Sequence, residues 1–172
     1  DHLVSKRLQQ RSIDVKGQPK TVFYVQMAMV NAAIDKRALQ YASLVRQNSD
    51  KTRVSRSLVY AIIRIESAFN PYAVSSAPAY GLMQLVPTSG GREAYRKSRG
   101  EDVIPTKEFL FTPANNIEFG TAYLGVLLFD SPLREIRDPV SREYCAIAAY
   151  NTGPSNVYRA FSNKNGRARQ DE

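Results

Sequence analysis

The chain has 172 residues, with 24 basic against 16 acidic side chains (net charge +8), one cysteine and one histidine. Those counts exclude an internal disulfide, a Cys/His metal site and a Ser–His or Cys–His catalytic pair. No apolar run reaches the roughly 18 residues a membrane span needs, and the positive charge, spread along the chain instead of gathered into one arm, points to an acidic polymer and away from nucleic acid.

Residues 1–29 read as an N-terminal extension. Two β-rich runs flank Lys16-Gly17-Gln18-Pro19 and predict a hairpin. A lone hairpin is marginal in water, so it either packs on the next domain or ends a truncated upstream one. The chain opens on Asp1 without a visible signal peptide, as a processed or trimmed piece would. Residues 30–172 read as one helical domain. Asn31 caps a first helix carrying Ala32, Ala33, Leu39, Ala42 and Val45 to about Arg46, and residues 47–53 form a polar connection. Ser55 caps a second helix. On it Leu58, Ile62 and Ile65 share one face, and Val59, Ile63 and Glu66 share the adjoining one. Pro71 disfavours helical geometry at Asn70 and ends this helix near Phe69.

Residues 72–80 are loop-like, and Gly81 opens an apolar turn ending in Gln84. A short helix over 89–97 is weakened by Gly90 and Gly91, and 96–108 is a charged loop. Thr112-Pro113 and Asp138-Pro139 each read as an N-cap followed by proline at the first helical position. The first of these helices runs to about Phe129. The second has an apolar stripe of Val140, Tyr144, Ile147 and Ala148, with Cys145 as a buried thiol. Gly153-Pro154 precedes a last helix with Val157 and Phe161 inward, and from Asn163 the polar, basic tail is expected to fray. The fold class is mostly α, about six helices with long loops and a short β-hairpin extension.

Glu66 is the residue with chemistry in it. It sits on the edge of an apolar stripe in the last turn of its helix, where burial and the helix dipole both disfavour ionisation. A raised pKa suits a general acid near neutral pH, although a surface glutamate at a helix end reads the same way. Glycoside hydrolysis usually needs two carboxylates. The candidates for a second, Glu93, Glu101, Asp102 and Glu108, all lie in polar segments. One carboxylate suffices if an N-acetyl oxygen of the substrate acts as nucleophile. Tyr150 and Asn151 close an apolar helix as caps or as site groups, Gln84 either meets a ligand or satisfies its loop, and Ser75 alone is uninformative.

The ordered set Glu66-Ser67, Phe69-Asn70-Pro71, Ser75, Gly81-Leu82-Met83-Gln84, Asn116-Ile117, Gly120-Thr121-Ala122-Tyr123-Leu124 and Ala149-Tyr150-Asn151-Thr152-Gly153 resembles the soluble-lytic-transglycosylase family, over about residues 55–161. The run 70–75, Phe109-Leu110-Phe111 before Pro113 and the upstream hairpin resemble its membrane-bound branch. The resemblance implies a goose-lysozyme-like helical domain that cuts peptidoglycan glycan strands with no cofactor and no metal. It implies that Glu66 is the single acid/base and that Tyr150 hydrogen-bonds its carboxyl. Ser75 and Gln84 would contact substrate near the cleavage point, and Asn151, Met83 and Tyr123 would line the groove. It further implies a periplasmic enzyme held at the outer membrane by a signal and anchor outside this chain. Goose-type lysozymes that use water carry an aspartate in the loop after the catalytic glutamate. Nothing acidic lies between Ser67 and Arg92 here, which favours the non-hydrolytic outcome. A hydrolytic muramidase of the same fold and a non-catalytic wall-binding module are the alternatives.

Overall fold

The computed structural model describes residues 8–15, 17–25 and 32–161. It divides into two compact units, Asp1–Asp35 and Lys36–Glu172. In the first, β1 (Leu8–Val15) and β2 (Gln18–Val25) pair antiparallel from Leu8 opposite Val25 to Val15 opposite Gln18. The predicted four-residue turn tightens to two, and the Gly17 N–H donates to Asp14 Oδ1 at 2.8 Å.

The rest of the described chain, from Ala32, is mostly helical. What reads as one helix to Arg46 is two, α1 (Ala32–Leu39) and α2 (Ala42–Thr52), so residues 47–53 are not a connection. The polar residues stay helical because their side chains bond back one turn: Asn48 Nδ2 donates to the Leu44 carbonyl and Thr52 Oγ1 to that of Asn48, each at 2.9 Å. The expected cap Asn31 and the tail from Asn163 lie outside the described residues.

Helix α3 (Arg56–Ser67) starts where Ser55 Oγ accepts the Leu58 N–H and stops at Ala68 in the left-handed region. Val59 and Ile63 are fully buried, but Ile65 is 80% exposed. The stripe therefore rotates out of the core one turn early and leaves Glu66 half-buried at its margin. A π-type turn (Pro87–Gly91) leads into α4 (Arg92–Arg99), and the charged stretch beyond it contains a further short helix, α5 (Lys107–Phe111). Residues 96–99 and 107–108 of the stretch read as a charged loop are therefore helical, and Leu110 of α5 is fully buried.

The central helix is α6 (Pro113–Gly125), continued by a π-type segment (Val126–Asp130) and a 3₁₀ turn (Pro132–Glu135). Helices α2, α4 and α5 pack on it. Ile117, Phe119 and Leu124 are fully buried, and the Phe119 ring meets Tyr95 edge-on and Phe109 at a tilt, with ring-centroid distances of 5.4 and 5.0 Å. Asp138 caps α7 (Pro139–Thr152) through the Ser141 N–H at 2.7 Å, as its Asp-Pro signature predicts. The face α7 buries is not the predicted one. Ala146 and Ala149 are inside, whereas Val140 and Tyr144 are exposed and Cys145 is half-buried. Small residues let α7 approach the body closely, and the larger apolar ones are left outside. In α8 (Pro154–Phe161) Val157 is buried but Phe161 is exposed.

Candidate active site

The site assembles where the end of α3 meets the 72–86 loop. After Glu66 the chain reverses through two successive left-handed residues, Ala68 (φ 48°) and Phe69 (φ 64°). Such conformations are disfavoured for residues with a Cβ. Burial of Phe69 and the 2.9 Å bond from the Asn70 N–H to the Ser67 carbonyl offset the cost. Ser67 ties the two segments together. Its hydroxyl lies 3.0 Å from the Ile63 carbonyl of its own helix and 2.8 Å from the Leu82 carbonyl. That contact brings the 81–84 turn beside Glu66.

The turn is held from the other side by Asn116, which has no exposed surface. Its Oδ1 accepts the Met83 N–H at 2.7 Å, and its Nδ2 donates to the carbonyls of Tyr80 and Leu110, both at 2.8 Å. Gly81 (φ 79°) is required twice over: a side chain there would be strained, and its Cβ would come within 2.3 Å of Asn116 Nδ2. The motif singles Asn116 out, but its role as the hub of the turn depends on partners 6, 33 and 36 residues away.

Two expectations are corrected. Met83 does not line a groove with its side chain: it is fully buried against α6, where a Cβ on Gly120 would meet its Sδ at 2.3 Å. The Tyr150 hydroxyl does not donate to the Glu66 carboxyl. It donates to the Met83 carbonyl at 2.7 Å, because a backbone acceptor shut away from water needs a donor. Tyr150 still belongs to the site. Burial, then the nearby charge of Glu66, keep its hydroxyl protonated far above the ordinary tyrosine range. Its ring packs on Tyr123 at 5.4 Å, and burial raises that hydroxyl's pKa too. Tyr150→Phe should cost about 1–2 kcal/mol in chemical denaturation by orphaning the Met83 carbonyl, with the ring contact intact.

Gln84, itself left-handed (φ 47°), spends its amide nitrogen on the Ala73 and Gly81 carbonyls at 3.0 and 2.9 Å. Two carbonyl neighbours fix which end is nitrogen, so its Oε1 is the end left for a ligand. Ser75 is exposed, donates to the Ala77 carbonyl and accepts the Ala79 N–H at 3.3 Å, which shapes the 75–79 loop. Asn151 is exposed at the end of α7.

Burial alone raises the Glu66 pKa; no neighbouring charge contributes. Of the other candidate carboxylates, Glu101 is exposed and the remaining three are engaged by cations. Asp102 is held well below the usual carboxylate range by bonds from Arg92 (2.6 Å) and Arg96 (2.7 Å). Glu93 lies 3.6 Å from Arg96, and Glu108 lies 3.8 Å from Lys107. The described residues thus present one half-buried carboxyl, biased toward its protonated form, beside a rigid turn and two tyrosines.

The transglycosylase SLT domain profile matches residues 43–172. The chain is 46% identical over 163 residues to membrane-bound lytic murein transglycosylase C of Salmonella arizonae, covering 95% of this chain and 44% of that protein. It is 45% identical over 162 residues to the Klebsiella pneumoniae protein of the same name, covering 94% and 43%. The chain thus spans less than half the length of these curated relatives. Among solved structures, an inactive mutant of lytic transglycosylase Slt from Pseudomonas aeruginosa superposes with a TM-score of 0.57 at 30% identity, over 72% of this chain and 18% of that one. The 70 kDa soluble lytic transglycosylase of Escherichia coli gives 0.56 at 29%, over 68% and 17%.

Proposed function

The chain belongs to the transglycosylase SLT domain family, and from that premise we propose that it cleaves peptidoglycan between N-acetylmuramic acid and N-acetylglucosamine without water, leaving 1,6-anhydro-muramic ends. The observation that carries this is the solitary Glu66 carboxyl, pushed toward its acid form by burial with no second carboxylate acting on it. Protonated Glu66 gives its proton to the glycosidic oxygen as the C1–O bond breaks. The N-acetyl carbonyl oxygen of the muramic residue closes on C1 in place of an enzyme nucleophile. The resulting Glu66 carboxylate then takes the proton of the muramic 6-hydroxyl, whose oxygen attacks C1 and releases the acetamide. One group serves as acid and then as base, and it ends as it began.

Around it, Tyr150 acts through the Met83 backbone. Its bond and that of Asn116 fix both polar groups of one peptide residue in the turn facing Glu66. Gln84 Oε1, Ser75, Asn151 and Tyr123 are the groups offered to the sugar chain. Met83 contributes its main chain only. The net charge of +8 suits a glycan carrying carboxylates. The whole protein works in the periplasm at the outer membrane, a reading supported by the word membrane-bound in the names of its relatives; among the described residues no helix is long and apolar enough to cross a membrane.

Product mass tests the reading. Digestion of purified sacculi should give muropeptides lighter by one water than those released by a hydrolytic muramidase, with no new reducing ends. A digest made only of reducing-end products would replace the proposal with hydrolysis.

A further inference from the structure

A cavity of about 410 Å³ opens between α2, α4 and α6, and neither Glu66 nor any residue of the 72–86 loop lines it. Its walls carry Lys51 and Arg53, Lys97 and Arg99, Glu118 and Asp130. Four cations therefore face two carboxylates. Arg99 grips Glu118 through two parallel bonds of 2.7 and 2.9 Å, and Lys97 Nζ sits 2.8 Å from Asp130. Lys51 acts on Glu118 only at longer range. Arg53 makes no ion pair among the described residues; its guanidinium lies over the Phe129 ring, 5.0 Å from the centroid.

Arg53 is also in an odd place for an arginine. It is the left-handed cap of α2 (φ 60°), the position where glycine or asparagine ordinarily ends a helix. Glycine would relieve the backbone there, and what it would remove is the guanidinium. The result is a concave site with two surplus cations, one of them a planar fork held on an aromatic face, which suits carboxylates.

The size and the two acids narrow the ligand. The volume lies in the range of pockets for small organic ligands, far above the roughly 30 Å³ share of one water, so a lone inorganic anion would leave it mostly unfilled. Glu118 and Asp130 would repel a phosphodiester backbone but accept an ammonium. We propose that this cavity binds a short amphoteric peptide bearing two carboxylates and an amine, of the kind peptidoglycan strands carry, and so holds the strand at a second point away from the scissile bond. The choice of peptide rests on the peptidoglycan reading above.

The test is a titration with a synthetic N-acetyl-Ala-Glu-Lys-Ala tetrapeptide, whose lysine is its one amine, followed by NMR, against inorganic phosphate as a second probe. The peptide should bind saturably to the wild type and equally to Glu66→Gln. Arg53→Gly should weaken binding about tenfold, the loss expected for a charge-assisted pair, with an unchanged or higher melting temperature. Lys51→Gln, on an exposed side chain that folding does not need, should weaken it several-fold. Both variants should cleave peptide-free glycan as the wild type does, with a raised KM only on peptide-bearing strands. Absence of saturable binding, an affinity unaltered by both variants, or phosphate binding as tightly as the peptide would each overturn the proposal. Failure of the function reading shows separately, in the product masses, without touching the titration.

Discussion

Glu66→Gln should reduce release of soluble muropeptides from sacculi by about 10³-fold or more, since both proton transfers pass through this one group. It should do so without loss of stability, and the sign follows from the direction of the pKa shift. The folded state raises the Glu66 pKa by burial. The stability linked to that shift is fully present below the unfolded pKa and is lost as pH rises through the folded one. Above the raised pKa the ionised wild type carries the desolvation cost and the amide does not, so there the variant should melt at the same temperature or slightly higher. In acid, where both side chains are neutral, the difference should vanish. The same shift sets the wild-type pH profile: activity falls as pH climbs past the raised Glu66 pKa, because the leaving oxygen loses its proton donor. Calorimetry from acid to neutral pH and a sacculus digest check both halves. A variant that digests like the wild type would remove Glu66 from the chemistry altogether.

Features governed by neighbours in sequence are legible in the sequence itself. Ser55 and Asp138 announce helix starts because a cap is a contact three residues long, and Pro113 does so because its fixed φ suits the first helical position, although Thr112 before it makes no side-chain cap bond. The lone acid at the edge of a stripe was legible for the same reason. What was not legible depended on distant partners. The polar run 47–53 looks like a linker until Asn48 and Thr52 are seen bonding back along their own helix. The stripe on α7 points the wrong way because close approach selects Ala146 and Ala149 over the bulkier Val140 and Tyr144. Spacing gives no hint that Tyr150 reaches a carbonyl 67 residues earlier. Nor does it show that Met83 fills the hollow left by Gly120 and cannot meet a sugar. The motif residues carry a scaffold as much as a reaction, and Asn116 is the plainest case.

Asn116→Ala should be the most destabilising of the polar substitutions considered. The amide is fully buried and satisfies three main-chain groups at 2.7–2.8 Å: the Met83 N–H and the carbonyls of Tyr80 and Leu110. Alanine leaves the Met83 N–H and the Leu110 carbonyl unpaired and away from water, at about 1–3 kcal/mol each before relaxation, while the Tyr80 carbonyl keeps only the Leu85 N–H at 3.1 Å. A net loss of about 3–5 kcal/mol is expected, a large share of a typical folding free energy of about 5–15 kcal/mol. In a chain of this size that lowers the melting temperature by about 10 °C or more. Activity should fall at temperatures where the variant is still folded, because the 81–84 turn beside Glu66 loses its anchor. Coupling to Tyr150 makes the test specific. Asn116 holds the N–H of Met83 and Tyr150 holds its carbonyl, so once the turn has loosened the second bond has less left to lose. The double variant Asn116→Ala with Tyr150→Phe should therefore be more stable than the sum of the single losses predicts, by at least about 0.5 kcal/mol in urea denaturation. Additive losses would mean that the two side chains act independently and that the Met83 peptide is not the link between the buried hub and the acid.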